Sequence, residues 1–364
     1  MKQRNWLAKI LLIPMSKAYG AVTSIRNFLF DIKVLKEKSF NVPVVVVGNL
    51  SVGGTGKTPH VEYLVERLRH SYHLAIVSRG YKRTTRGFVM ATQRSTTADI
   101  GDEPFQMYHK FSGQIPVAVC EDRVTGINEL LAIDPNVNMV ILDDAFQHRY
   151  VKPTVSILLT DYSNPFFYDK MLPYGSLRES KSGVKRADII VSTKTPSRVS
   201  ALDMHIFQEN TKKQPWQKLF FSQLNYCSLM PVFPDDAPPV APALDWLTSE
   251  DMLLAISGIG NPRPFVRFVK KFKAKVRVNT FPDHHNFSRK DIALIQQRFE
   301  TMKGRRNFII TTEKDAVRLA GNPYFPHHLK PYIYYLPITV EIMRGEGDAF
   351  INEIKRVIKL KSIM

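Results

Sequence analysis

Lys57 and Thr58 end the run Ser51-Val52-Gly53-Gly54-Thr55-Gly56-Lys57-Thr58, which follows the pattern G-x-x-x-x-G-K-[ST] with serine in the first glycine's place. Gly53, Gly54 and Gly56 leave the backbone free to wrap an anion, so successive N–H groups can converge on phosphate oxygens. Lys57 is placed to reach the terminal phosphates, and the Thr58 hydroxyl is a ligand type that magnesium accepts. A helix opening at Thr58 adds its N-terminal dipole to the same anion. These residues together describe a nucleoside triphosphate site. NMVILDDAFQHR supplies the usual partner of such a loop, an apolar strand ending in Asp143-Asp144. Magnesium needs a carboxylate near it, and neighbouring side chains on a strand alternate in direction. One of the two is therefore expected to face the metal and the other to shape the substrate or the loop. Gln147, His148 and Arg149 follow where polar residues would line the same mouth.

Other ionisable clusters are less decisive alone. Asp102 and Glu103 in GDEPFQM read as a helix N-terminus carrying favourable charges. FPDHHNF gathers Asp283, His284 and His285, but adjacent histidines point apart and no third ligand is evident, so an acid–base role fits better than a zinc site. Arg178 and Glu179 in LPYGSLRES, and Arg79 and Lys82 in SRGYKR, are equally compatible with phosphate contacts and with solvated charges. SGIGNP at 257–262 lacks the third glycine of a dinucleotide fingerprint and reads as a strand-to-helix turn.

The elements that must position these residues follow from hydrophobic runs. Strand-like segments at 42–47, 74–78, 115–120, 139–142, 155–159 and 188–192 alternate with helical patterns, and several are continuously apolar. The expectation is an α/β fold of the P-loop NTPase type, a mostly parallel sheet with helices on both faces, spanning 41–215. From 216 to 245 the texture changes to extended strands and the proline-rich FPDDAPPVAPAL, read as a β linker. Residues 246–345 carry a second, smaller α/β set, and 346–364 a basic amphipathic C-terminal helix that could dock on either domain or touch lipid.

The chain has 364 residues, enough for about two cores. Its 51 basic against 33 acidic residues give a net charge of +18, which predicts an anionic partner: nucleic acid, a membrane surface or a phosphorylated substrate. Cys120 and Cys227, the only cysteines, have no metal-type spacing and suit a reducing cytosol. Residues 1–40 hold eight Lys/Arg and two acids, with apolar faces at Trp6, Leu7, Ile10 and Leu11 and at Val22, Ile25, Phe28, Leu29 and Ile32. Neither stretch approaches the ~20 apolar residues of a spanning helix. Lys9 and Pro14 also disfavour a signal peptide. Basic amphipathic helices lying in the membrane interface are expected.

Taken in order, GNLSVGGTGKTPH, SRGY, GDEP, DDAFQHR, LPYGSLRE, FPDHH and TTEKDA, over residues 40–318, resemble the tetraacyldisaccharide 4′-kinase (lipid A 4′-kinase) family. Two positions depart from its pattern: Ser51, where threonine is usual, and Ala145, where glycine is usual and a methyl tests whether the turn needs a positive φ. The resemblance implies ATP-driven phosphorylation of the 4′-hydroxyl of a tetraacylated glucosamine disaccharide 1-phosphate, giving lipid IVA, with ATP and Mg²⁺ as cofactors. It implies a peripheral place at the cytoplasmic face of the inner membrane, with an anionic membrane surface as partner. No nucleic-acid partner is expected, and the state expected is a monomer. By the same resemblance Asp102 is the base for the sugar hydroxyl with His284 supporting it, and Asp143 and Asp144 serve the metal and the phosphoryl centre. The metal is expected at Thr58, Asp144, Glu103 and Gln147, and substrate at Arg79, His148, Arg178, Glu179 and Asp283. The rival reading, a metallochaperone or targeting NTPase, would need an N/T-K-x-D guanine signature if it used GTP. Thr193-Lys194-Thr195-Pro196 lacks the acid, and Thr312-Glu313-Lys314-Asp315 has the wrong spacing. A nucleic-acid binder would explain the charge but not the phosphate loop.

Overall fold

The computed structural model describes residues 6–239 and 241–363, and side chains from 11 to 362 except 240. The apolar face expected at Trp6, Leu7 and Ile10 lies outside the described side chains. In chain order the first elements are α1 (Trp6–Asp31), β1 (Val44–Asn49), α2 (Lys57–Leu68), β2 (Leu74–Ser78), β3 (Val89–Met90), α3 (Thr97–Ile100) and α4 (Asp102–Lys110). There follow β4 (Val117–Val119), α5 (Arg123–Ile133), β5 (Met139–Asp143), β6 (Val155–Asp161), β7 (Ile189–Thr193), α6 (Ala201–Thr211), β8 (Lys218–Tyr226) and β9 (Met230–Pro231). The chain continues with β10 (Met252–Ser257), α7 (Arg263–Val269), β11 (Lys275–Thr280), α8 (Arg289–Glu300) and β12 (Asn307–Thr312). It closes with α9 (Glu313–Ala320), β13 (Ile333–Leu336), β14 (Ile338–Ile342) and α10 (Gly347–Ile363).

Nine strands form the large sheet in the order β14-β8-β7-β6-β1-β5-β2-β4-β3, parallel throughout except at its two ends, β14 on β8 and β3 on β4. β1, β2 and β5 are buried at every position because alternate side chains enter different layers. Val45, Val47, Ile76 and Ile141 pack with α2 and α10, while Val44, Val46, Val77 and Leu142 pack with Ile127 and Leu130 of α5. β1 lies between β5 and β6, so the loop leaving its carboxyl end opens where the chain's crossovers diverge, the usual place for a ligand in such a sheet. A second sheet, β11-β10-β12-β13-β9, is parallel except for β9.

Segments expected elsewhere complete the large sheet. β8, from the stretch read as a linker, pairs with β7, and β14, from the end of the second α/β set, pairs with β8. A strand with Phe220 and Phe221 buried needs its backbone groups paired, and the sheet edge supplies partners. The chain therefore crosses between the two sheets twice, at Cys227 and Pro337, whose backbones are hydrogen-bonded at 2.9 Å. α10 returns to the large sheet, burying Phe350, Ile354 and Val357 there.

The N-terminal segment is one helix, continuous through Pro14. Its face toward the protein is mixed: Ser16, Arg26, Asn27 and Phe30. Leu11, Met15, Val22, Ile25 and Phe28 point outward and are 57–68% exposed. Among the described residues no helix is long and apolar enough to cross a membrane.

Candidate active site

The phosphate loop is built as its glycines require. Gly53 and Gly56 adopt φ of 117° and 85°, open to glycine and strained for other residues, and Gly56 caps α2. Surrounding groups brace the loop. Val52 N–H donates to Ser176 O at 2.7 Å, Thr193 Oγ1 donates to Thr55 O at 2.8 Å, and Lys194 Nζ donates to Gly54 O. His60, one turn into α2, meets Gly56 O through Nδ1 at 2.7 Å and Ser222 Oγ of β8 through Nε2 at 2.9 Å. Burial pushes the His60 imidazole down to about 4, so it serves as a neutral strut.

Asp143 and Asp144 differ in environment. Asp143 is 1% exposed and neither carboxylate oxygen has a hydrogen-bond partner. Burial, with Glu103 and Asp144 nearby, pushes it up to about 7. Asp144 takes φ 49° and receives two hydrogen bonds from Arg178 Nη1, at 2.9 and 3.1 Å, with Lys57 Nζ at 3.6 Å. Burial opposes its charge, but Lys57 and Arg178 outweigh it and hold the carboxyl below the usual range. The left-handed residue of this turn is thus Asp144, and Ala145 is buried without positive φ, so its methyl costs no backbone strain. An unpaired buried carboxylate within electrostatic reach of Lys57 suits a cation such as Mg²⁺. Among the described residues no three His, Cys, Asp or Glu form a metal cluster, so nucleotide oxygens would have to complete its shell. Of the donors expected to join Asp144, Glu103 is paired with Lys314. Gln147 spends its amide on Asn49 O at 2.6 Å, Glu179 Oε1 at 3.0 Å and Arg178 Nη1 at 3.3 Å.

Asp102 and His284, 182 residues apart, meet at 3.0 Å between Oδ2 and Nδ1. Asp102 opens α4, and His284 sits at φ 56° in the loop after β11, its ring 5.6 Å from Tyr81 of SRGY. Arg318 of α9 also donates to Oδ2, at 3.1 Å through Nε and 2.5 Å through Nη2. Oδ1 carries no hydrogen bond among the described residues. Burial disfavours the ionised carboxyl, yet His284 and Arg318 hold it far below the usual range. The same seam between α4 and α9 carries Lys314 on Glu103, and Lys110 between Glu62 at 2.6 Å and Glu313 at 3.3 Å.

The residues expected at substrate are spread more widely. Arg178 faces the centre through Asp144. Glu179 is 3% exposed, with its oxygens taken by Asn27, Gln147 and Arg186, so it braces the loop from behind. His148 accepts from Arg123 N–H at 3.3 Å, and burial with Arg123 close by pushes it down to about 4. Arg79 is exposed and within electrostatic reach of His148 and Arg123. Asp283 is exposed beside His284, 4.0 Å from its Nε2.

Sequence reasoning assigned nothing to Arg318, Lys314 or Asn49. The first lies just past TTEKDA and the second within it, on a helix whose basic face looks like ordinary solvated charge until α4 packs against it. Asn49, fully buried with both amide atoms unpaired, ends the four-valine strand directly before the phosphate loop. A polar residue closing such a run was the available signal.

Comparison with known proteins gives the family and the fold. A family model described as tetraacyldisaccharide-1-P 4′-kinase matches residues 8–359. A tetraacyldisaccharide 4′-kinase of Bacteroides thetaiotaomicron is 49% identical over 345 residues, covering 93% of this chain and 90% of its own. One from Flavobacterium johnsoniae is 45% identical, covering 92% of each chain. The crystal structure of LpxK from Aquifex aeolicus in complex with ATP superimposes with a TM-score of 0.72 at 30% identity, covering 95% of this chain and 98% of that one. With its phosphate loop, twin aspartates and Asp102–His284 pair in place, the chain belongs to the tetraacyldisaccharide-1-P 4′-kinase family.

Proposed function

We propose that the protein transfers the γ-phosphate of ATP to the 4′-hydroxyl of a tetraacylated glucosamine disaccharide 1-phosphate, forming lipid IVA. The observation that carries this reading is the Asp102–His284 pair, delivered to the phosphate-loop side of the molecule by two different sheets. A water-hydrolysing switch has no need of such a pair; a kinase needs a base for its acceptor. Asp102 accepts the sugar hydroxyl's proton at Oδ1, and His284 and Arg318 fix the carboxylate through Oδ2. The hydroxyl oxygen then bonds to the γ-phosphorus as the bond to the β–γ bridging oxygen breaks and ADP leaves. Lys57 and the N–H groups of the loop neutralise charge on the phosphate oxygens. Thr58 and Asp143 would hold Mg²⁺, which would add further charge neutralisation. Asp144 and Glu103 could join it only after releasing Arg178 and Lys314.

The place of action we propose is peripheral, on the cytoplasmic face of the inner membrane. The outward apolar stripe of α1, flanked by lysines, supports it. The test is transfer of labelled γ-phosphate from ATP to the lipid disaccharide against release to water. Transfer should dominate, and Lys57→Ala should lower it by roughly 10²–10³-fold with the fold retained. Release to water alone, or full turnover by a folded Lys57→Ala protein, would refute the assignment.

A further inference from the structure

Between residues 263 and 277 the chain carries Arg263, Arg267, Lys270, Lys271, Lys273, Lys275 and Arg277 and no acid. All seven are exposed, on α7, the turn after it and β11. Among the described residues none is ion-paired. Arg277 is tied to Arg298 O and Thr301, and Lys271 lies over Phe268. Holding so many cations together without a counter-charge costs repulsion that an anionic surface relieves. Within the patch lies a cavity of about 630 Å³, with Pro262, Val266 and Val278 as apolar walls and Arg263, Arg267 and Lys270 as cationic rim. Apolar walls under a cationic rim suit a phosphate headgroup with the first carbons of its acyl chains.

Position strengthens the case. Thr280 and Pro262, also in the cavity wall, border the loop that carries His284, whose N–H donates to Gly258 O at 3.1 Å. On the other domain α1 touches the site directly, through Arg26 to Gln147 O and Asn27 to Glu179. We infer that the α7–β11 face is a second membrane contact, seating on the phosphate headgroups of an anionic leaflet, so that each domain is held to the bilayer beside its half of the site. The inference rests on the proposed lipid-kinase function for its purpose but not for its test.

Vesicle binding is measured on the full chain without ATP or disaccharide, with vesicles of phosphatidylglycerol in phosphatidylcholine or of phosphatidylcholine alone, and turnover is measured separately. The triple variant Arg263→Gln/Arg267→Gln/Lys270→Gln should lose roughly 10²-fold in partitioning to anionic vesicles, about fivefold per charge, at low salt. On neutral vesicles it should match the parent. Arg263→Lys/Arg267→Lys should bind as the parent does, which separates lost charge from lost fold. Unchanged binding by the triple variant overturns the contact, as does an equal loss on neutral vesicles. If vesicle binding stays and KM for detergent-dispersed disaccharide rises, the contact is overturned and the cavity belongs to the substrate's own phosphate. A parent that binds vesicles but transfers no phosphate refutes only the kinase reading.

Discussion

Arg318 shows how one side chain can set the working range of another. It and His284 share Asp102 Oδ2, leaving Oδ1 for the acceptor hydroxyl in the proposed reaction. An arginine on a general base has two opposed consequences: it orients the carboxylate and it weakens the base. Asp102 is ionised far into the acid range because His284 and Arg318 outweigh its burial. Removing Arg318 raises the Asp102 pKa, so protonation begins at higher pH on acidification. In Arg318→Ala the acid limb of kcat/KM should therefore move up in pH. Turnover at neutral pH should fall by roughly 10–10²-fold, the worth of a charged hydrogen bond. Arg318→Lys should restore the limb more than the rate, since one ammonium cannot reproduce a two-pronged grip. A pH profile that stays put while the rate falls would make Arg318 a packing residue of the seam.

At the level of elements, α1 is turned opposite to an ordinary surface helix. The docked side is largely polar, and it is specific: Ser16 to Met171 O at 2.8 Å, Tyr19 to Arg178 O at 3.0 Å and Asn27 to Glu179 at 2.9 Å. The outward side is apolar, with Leu11, Val22, Ile25 and Phe28. An exposed stripe of that size marks an interaction surface. Each such side chain is worth up to ~1.5–3 kcal/mol on full burial. Replacing the four with serine should weaken flotation with anionic vesicles by at least about 10²-fold and leave ATP binding alone. Rising salt should weaken the parent's flotation further, because nearby lysines such as Lys17 and Lys33 are screened. Flotation indifferent to the four substitutions would assign α1 to another protein or to packing. Asn27→Ala, on the docked side, should instead lower turnover through Glu179 and its loop.

For the molecule as a whole, the decisive feature is that the proposed acid–base pair belongs to two sheets joined by two crossings. Three cross-seam ion pairs hold α4 against α9 in this arrangement: Asp102–Arg318, Glu103–Lys314 and Lys110–Glu313. On the proposed mechanism such a site would exclude water while the seam is shut and so limit wasteful hydrolysis. Asp102→Asn should lower turnover by roughly 10²–10⁴-fold with ATP affinity kept. His284→Ala should cost less, and the double variant should be little worse than Asp102→Asn, because members of one unit are not additive. Losses that multiply in this cycle would mean that the two residues act separately.

The sequence alone determined the parts of this protein whose cause is local. The phosphate loop depends on glycines, a lysine and a threonine at fixed spacing, and the buried parallel strands on unbroken apolar runs, so both were legible as strings. The ordered motifs carried the family in the same way. Tertiary structure decided everything that depends on which surfaces meet. β8 and β14 read as linker and second-domain strands because a sheet edge cannot be seen from the strand that will join it. Asp102 on its own residues read as a charge at a helix N-terminus, and only the family resemblance made it the base, while packing brought Arg318 to it; Glu179 read as a rim residue until Asn27 and Arg186 closed over it. The two aspartates were equivalent on paper. Only the positive φ of Asp144 turns one toward Lys57 and Arg178 and leaves Asp143 buried without a partner. Spacing along the chain fixes what a residue is able to do, while packing between distant segments fixes which of its groups are left free to do it.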